Sequence, residues 1–131
     1  MKIFISKHYL DSAFSLRKEY IQNLQKVVSK EKIIEEHKNN LYDIVNDMSR
    51  ILEDMESEEQ KREYIISNVV DLEKSIDNIQ NEIKPYCDRI DNIRKEGDKL
   101  YNSIVEKYPD LTKDELKEQI TEYIIKMENN S

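Results

Sequence analysis

Apolar residues recur along most of the chain at alternating steps of three and four residues. One phase holds from Ala13 to Ile104, and 21 of its 27 positions are apolar when Ala and Tyr are counted. A period of 3.5 residues is typical of coiled coils. The predicted fold class is therefore all-α. The seam residues expected to make helix–helix contacts are Ile34, Leu41, Ile44, Met48, Ile51, Met55, Ile65, Val69, Leu72, Ile76, Ile79, Ile83, Ile90 and Ile93.

A polar run at 56–63 interrupts the seam and raises a choice between two architectures. Ser57 followed by Gln60 matches a capping box, which predicts that a new helix starts there. The chain then forms an elongated helical hairpin, with helix A over about 11–55 and helix B over about 58–107. The alternative is one continuous coiled-coil helix, because the run contains no Gly, Pro or Asn and the repeat keeps its phase across it.

Two features favour the hairpin. In a parallel homodimer, Arg89 at a g position would face Arg94 at an e position of the partner, a like-charge pair. The apolar stripe is also wider than a two-stranded seam needs, which suits a bundle of three or four helices and predicts homodimerisation or a helical partner. The additional apolar residues are Leu24, Val45, Leu52 and Ile66.

The C-terminal part of the chain carries clear helix signals. Pro109 ends the preceding helix, and Thr112 with Glu115 forms a second capping box that predicts helix C over about 113–128. Pro85 lies inside helix B, where we expect a kink with the ring on the outer face. The whole chain, residues 1–131, is predicted to be a single α-helical domain. Its N-terminal segment, 2–5, is expected to be a short strand or an apolar arm.

Charge is distributed unevenly along the chain. Residues 1–52 carry 9 basic and 7 acidic side chains, whereas residues 53–131 carry 12 basic and 21 acidic ones. The acidic majority argues against direct binding of nucleic acid, and no apolar run is long enough to span a membrane. Abundant Ile, Lys and Asn indicate an AT-rich genome, as in a low-GC bacterium, its phage or a parasite. An intracellular location, or one within a virus particle, is expected.

Residue types that carry chemistry are scarce. His8, His37 and Cys87 have no spacing that suits a metal site, and carboxylates near Cys87 oppose thiolate formation. A thin helical protein rarely builds a water-excluding pocket. We therefore expect no catalytic residues, no metal, no cofactor and no enzymatic activity.

Two functions from different classes fit these patterns. The first is a scaffold, adaptor or assembly protein that binds other helices through apolar faces, with a chaperone of assembly or secretion as a variant. The second is an acidic inhibitor or decoy that binds a basic nucleic-acid site on another protein, such as a phage-encoded anti-defence protein. Its acidic contact patch would be Glu53, Asp54, Glu56, Glu58 and Glu59.

Overall fold

A computed structural model describes residues 2–130, and it shows a helical hairpin followed by a short helix. The helices are α1 (Lys7–Glu53), α2 (Glu58–Ile65), α3 (Asp71–Lys107) and α4 (Lys113–Asn129). A π-helical turn, Ile66–Val70, joins α2 to α3 without a break. The predicted all-α hairpin is confirmed, and the alternative of one continuous helix is wrong because α1 ends at Glu53.

The hairpin turn forms where the polar run begins. Ser57 is the N-cap of α2, and its hydroxyl accepts a hydrogen bond of 3.1 Å from the backbone N–H of Gln60. The Gln60 side chain in turn accepts from the backbone N–H of Glu56 at 3.3 Å. The first bond satisfies a donor that every helix start leaves unpaired, and the second holds the chain just before the N-cap, so the chain can reverse without Gly or Pro.

The helix boundaries differ from the predicted ones mainly at the N-terminus. Helix α1 begins at Lys7, four residues before the expected start, and ends two residues before the expected end. Helix α3 is continuous through Pro85, whose ring is exposed as predicted; the kink there stays a prediction. Residues 2–6 form an irregular arm, and no strand occurs in the described chain.

The predicted apolar repeat shifts by one residue at the π turn. The sequence predicts that it keeps one phase from Ala13 to Ile104, and this expectation is wrong. Glu58 and Arg62 occupy predicted seam positions but are exposed, whereas Lys61 and Tyr64 are half-buried in their place. Lys61 and buried Ile76 are 15 residues apart, one more than two heptads. The π turn accommodates that extra residue: the N–H of Asp71 donates to the carbonyl of Ile66, five residues back.

All fourteen predicted seam residues are at least partly covered within the chain. Ile34, Ile76, Ile90 and Ile93 are buried, and the other ten are half-buried. Met55 is one of the ten, although it lies in the turn rather than in helix α1. These side chains therefore serve first as the internal seam of the hairpin.

Contacts along the chain divide it into two units, and α1 and α3 each contribute a segment to both. Unit 2 is continuous, Gln25–Cys87, and contains the hairpin turn. Unit 1 combines the chain up to Leu24 with the chain from Asp88 onward. That these units behave as one domain, as the sequence predicts, stays a prediction.

Unit 1 has a small core closed by the N-terminal arm. Ile5, Ile104 and Leu116 are buried together. The side-chain amide of Gln119 makes two hydrogen bonds to the backbone of the arm. It accepts from the N–H of Ile5 at 2.9 Å and donates to the carbonyl of Ile3 at 2.6 Å. The arm therefore docks through its backbone as well as through Ile5.

Helix α4 packs within unit 1 rather than projecting away from it. Thr112 is its N-cap, as predicted, and accepts from the N–H of Glu115 at 3.1 Å. The Tyr123 hydroxyl donates to Asp11. Further along, Arg17 lies 2.5 Å from Glu128. Helix α4 thus meets the start of α1 through polar contacts.

Candidate functional site

One side of unit 2 presents an open groove between α1 and α3. Its volume is about 420 Å³, and its floor is formed by Ile34 and Ile83. Glu31, Glu35 and Lys38 line it from α1, and Gln80 lines it from α3. All four polar side chains are exposed. This side of the hairpin is therefore free to meet another surface.

Exposed apolar residues extend the α1 wall of this groove in both directions. Val28, Tyr42 and Val45 continue the three–four spacing of Glu31, Glu35 and Lys38, so they lie on the same side of α1. Their exposures are 56%, 68% and 52%. We call this surface the groove face. It comprises six residues of α1 and three of α3: Val28, Glu31, Glu35, Lys38, Tyr42, Val45, Asp77, Gln80 and Lys84.

The opposite side of unit 2 is held by polar contacts within the chain. Lys30 donates to Glu82 at 2.9 Å, and this hydrogen bond raises the pKa of Lys30 above its ordinary value. Lys26 lies over the ring of Tyr86 at 5.1 Å from the centroid. Because these groups already have partners, this side offers fewer unpaired charges than the groove face does.

The sequence-predicted wide stripe is only partly covered by the hairpin. Leu24, Val45 and Ile66 remain exposed, at 39%, 52% and 46%, and Leu52 is half-buried. Val28 and Tyr42 belong to the same apolar class, although the sequence interpretation did not select them for this stripe. The signal that would have found them is their spacing of three or four residues from Leu24 and Val45.

The predicted acidic patch forms the solvent-exposed end of the hairpin. Glu53 ends α1, Asp54 and Glu56 lie in the turn, and Glu58 and Glu59 open α2. All five side chains are exposed, and Glu58 is 3.5 Å from Lys61. Glu58 and Glu59 also lie at a helix N-terminus, where negative charge is favourable.

Unit 1 contains an ion-pair network that the heptad positions explain. Arg89 donates to both carboxylate oxygens of Glu19, at 2.5 and 2.7 Å, and to Glu96 at 3.1 Å. Residues 19 and 89 are both g positions, and g faces g in antiparallel pairing. Folding back therefore replaces the Arg89–Arg94 clash of a parallel dimer with an attractive pair.

This network predicts a specific pH dependence. The hydrogen bond from Arg89 holds the pKa of Glu19 below its ordinary value of 4.5. A depressed native pKa stabilises the fold above the unfolded pKa, and that stabilisation is lost as pH falls through the native one. In Arg89→Gln, urea unfolding should therefore lose less stability than wild type between about pH 5 and pH 3. Identical losses in both proteins would contradict a role for this pair.

His8, His37 and Cys87 are the candidates for metal binding or nucleophilic chemistry in the sequence. His8 and Cys87 are exposed, and His37 is half-buried on α1. Among residues 2–130, no group of three His, Cys, Asp or Glu side chains is arranged to hold a metal ion. None of the helices described above combines the length and the apolar character that a membrane crossing requires.

Comparisons with protein-family models, with curated proteins and with solved structures give no match to this chain. The interpretation of function therefore depends on the surfaces of the molecule itself.

Proposed function

We propose that this chain is a non-enzymatic scaffold or adaptor that binds helices of other protein chains through the groove face. The observation that carries the proposal is the exposure of Val28, Tyr42 and Val45 on one side of α1. Tyr42 and Val45 are neighbours on this side, and Val28 lies two heptads before Tyr42. Exposed apolar side chains with a polar rim are typical of protein interaction sites. Their helical spacing suits a helix as the partner, because helices pack by matching ridges of this spacing.

The test replaces the three apolar residues by a polar residue that favours helices. In the triple variant Val28→Gln, Tyr42→Gln and Val45→Gln, the fold should be retained because all three side chains are exposed. The matched control is Ile33→Gln, which removes an apolar side chain that is 42% exposed and belongs to a different side of α1. Circular dichroism checks that both variants remain helical.

The readout is association that depends on the groove face. Differently tagged copies of the chain are co-expressed and captured without crosslinking, and bound proteins are quantified at 150 and 500 mM salt. We expect at least one partner, whether a second copy or another protein, to be captured at 150 mM salt, to be lost with the triple variant and to be kept by Ile33→Gln. The measurement at 500 mM salt separates apolar contacts from contacts between exposed charges, because salt screens only the latter. Equal capture by all three proteins would overturn the proposal.

The decoy function is the second candidate, supported by the exposure of all five acidic patch residues. Binding of a basic site through exposed charges weakens as salt screens them. A partner that is lost at 500 mM salt and retained by the triple variant would favour the decoy and contradict the scaffold. The same capture experiment therefore distinguishes the two functions.

A further inference from the structure

From Val28 to Tyr42, the α1 part of the groove face has apolar residues at matching distances from Glu35 and opposite charges on its two sides. Taking Glu35 as its centre, Val28 lies seven residues before and Tyr42 seven residues after. Between them, Glu31 lies four residues before the centre and Lys38 three residues after. A second α1 laid antiparallel on this stripe would place Val28 against Tyr42 and Glu31 against Lys38, twice each.

The α3 part of the groove face likewise has opposite charges on the two sides of a central residue. Asp77 lies three residues before Gln80 and Lys84 four residues after it, on the same side of the helix. An antiparallel copy centred on Gln80 would pair each Asp77 with a Lys84 and would place the two Gln80 amides together. Amide side chains can donate to and accept from each other, so this central contact is favourable.

The two centres lie at the same level of the hairpin. Glu35 and Gln80 line one groove from opposite walls. A single two-fold axis crossing the hairpin at this level therefore brings both stripes into register with a second copy at once. Dimers of this kind bury the same patch on both subunits.

The charges that would pair across this axis have no ion-pair partner within the described residues. Glu31, Lys38, Asp77 and Lys84 are exposed and form no salt bridge there, whereas charged residues elsewhere on the hairpin, such as Lys30 and Glu19, do. The like pair Glu35–Glu35 at the centre opposes association. The four opposite-charge pairs outnumber it.

We infer that the partner of the groove face is a second copy of this chain, packed antiparallel about a two-fold axis through Glu35 and Gln80. The product is a four-helix arrangement of two hairpins, held by two Val28–Tyr42 contacts and four ion pairs. This inference rests on the proposed function and specifies its partner. A parallel arrangement with no axial offset would instead oppose Glu31 to Glu31 and Lys38 to Lys38.

Charge reversal tests this arrangement. Glu31→Lys alone and Lys38→Glu alone each create two like-charge pairs and should weaken the homodimer on the order of 10-fold. The double variant Glu31→Lys with Lys38→Glu regenerates both pairs and should return to within about 3-fold of wild type. Sedimentation equilibrium at low salt measures the dissociation constants. A double variant as weak as its parents would overturn the inference.

Crosslinking at the axis provides a second, independent readout. In a Cys87→Ser background, Gln80→Cys places two thiols together across the axis and should give a disulfide-linked dimer under mild oxidation. The matched control Asn81→Cys, one residue further and exposed on the outer side, should not. Equal crosslinking of the two variants, or none in either, contradicts the proposed axis.

The two proposals fail differently in these experiments. If the chain is monomeric and Gln80→Cys does not crosslink, the second-copy inference is wrong. The scaffold function still holds in that case if capture detects a different protein that the triple variant loses. If capture detects neither a second copy nor another partner that depends on the groove face, both proposals are wrong.

Discussion

Replacing Ile104 by Ala lowers the free energy of unfolding by about 3 kcal/mol, the usual cost of truncating a large aliphatic side chain in a core. Ile104 is 1% exposed, and it packs with Ile5 and Leu116 at the point where the arm, α3 and α4 meet. The truncation leaves a cavity that these separate segments cannot easily close. Urea denaturation monitored by circular dichroism measures the loss.

The neighbouring residue gives the matched control. Val105 is 43% exposed on the same helix, so Val105→Ala should change the free energy of unfolding by less than about 0.5 kcal/mol. Alanine also favours a helix more than valine does, which offsets part of the lost contact. Equal effects of the two substitutions would mean that the described core does not stabilise unit 1.

Deleting Ser67 should leave the free energy of unfolding within about 1 kcal/mol of wild type, although a one-residue deletion inside a helix is normally severe. Ser67 is exposed within the π turn. Its removal reduces the separation of Lys61 and Ile76 from 15 residues to 14, which is two heptads. The π turn then becomes an ordinary helical turn, and the inward-facing residues on both sides remain in phase.

Deleting Asn81 is the corresponding control in a regular helix. The deletion rotates Ile83, Ile90 and Ile93 away from the seam relative to the residues before it, because each residue turns a helix by about 100°. We expect a loss on the order of 4 kcal/mol or more, since several buried isoleucines lose contacts together. If both deletions are equally damaging, the π turn does not accommodate an extra residue.

Much of the fold could be predicted because its signals are local. The capping residues Ser57 and Thr112 accept the hydrogen bonds that their spacing predicts. The seam follows directly from the 3.5-residue period, and the antiparallel direction is favoured by the like-charge pair of Arg89 and Arg94 that a parallel dimer would create. Each of these depends on residues that lie within a few turns of one another or on a repeat that continues over many heptads.

The remaining features depend on contacts between distant residues. The shift of the apolar repeat at the π turn is visible only in the half-burial of Lys61 and Tyr64. In the sequence, the polar residues Glu58 and Arg62 at seam positions indicate an interruption of the repeat but not a shift. The docking position of the arm is set by Gln119, and no motif around Gln119 in the sequence indicates that it binds the arm. The groove face was recognised only in part, because the sequence does not show which charges find partners inside the hairpin.

Docking of the arm determines the order in which the two units can fold during synthesis. Ile5 is synthesised 114 residues before its hydrogen-bond partner Gln119. Unit 2 consists of consecutive residues and has all its parts once Cys87 has emerged, whereas unit 1 must wait for α4. Contacts of such long sequence separation form late. The arm therefore stays undocked until α4 has been synthesised, and a chain truncated before α4 leaves Ile5 without the helix that holds it.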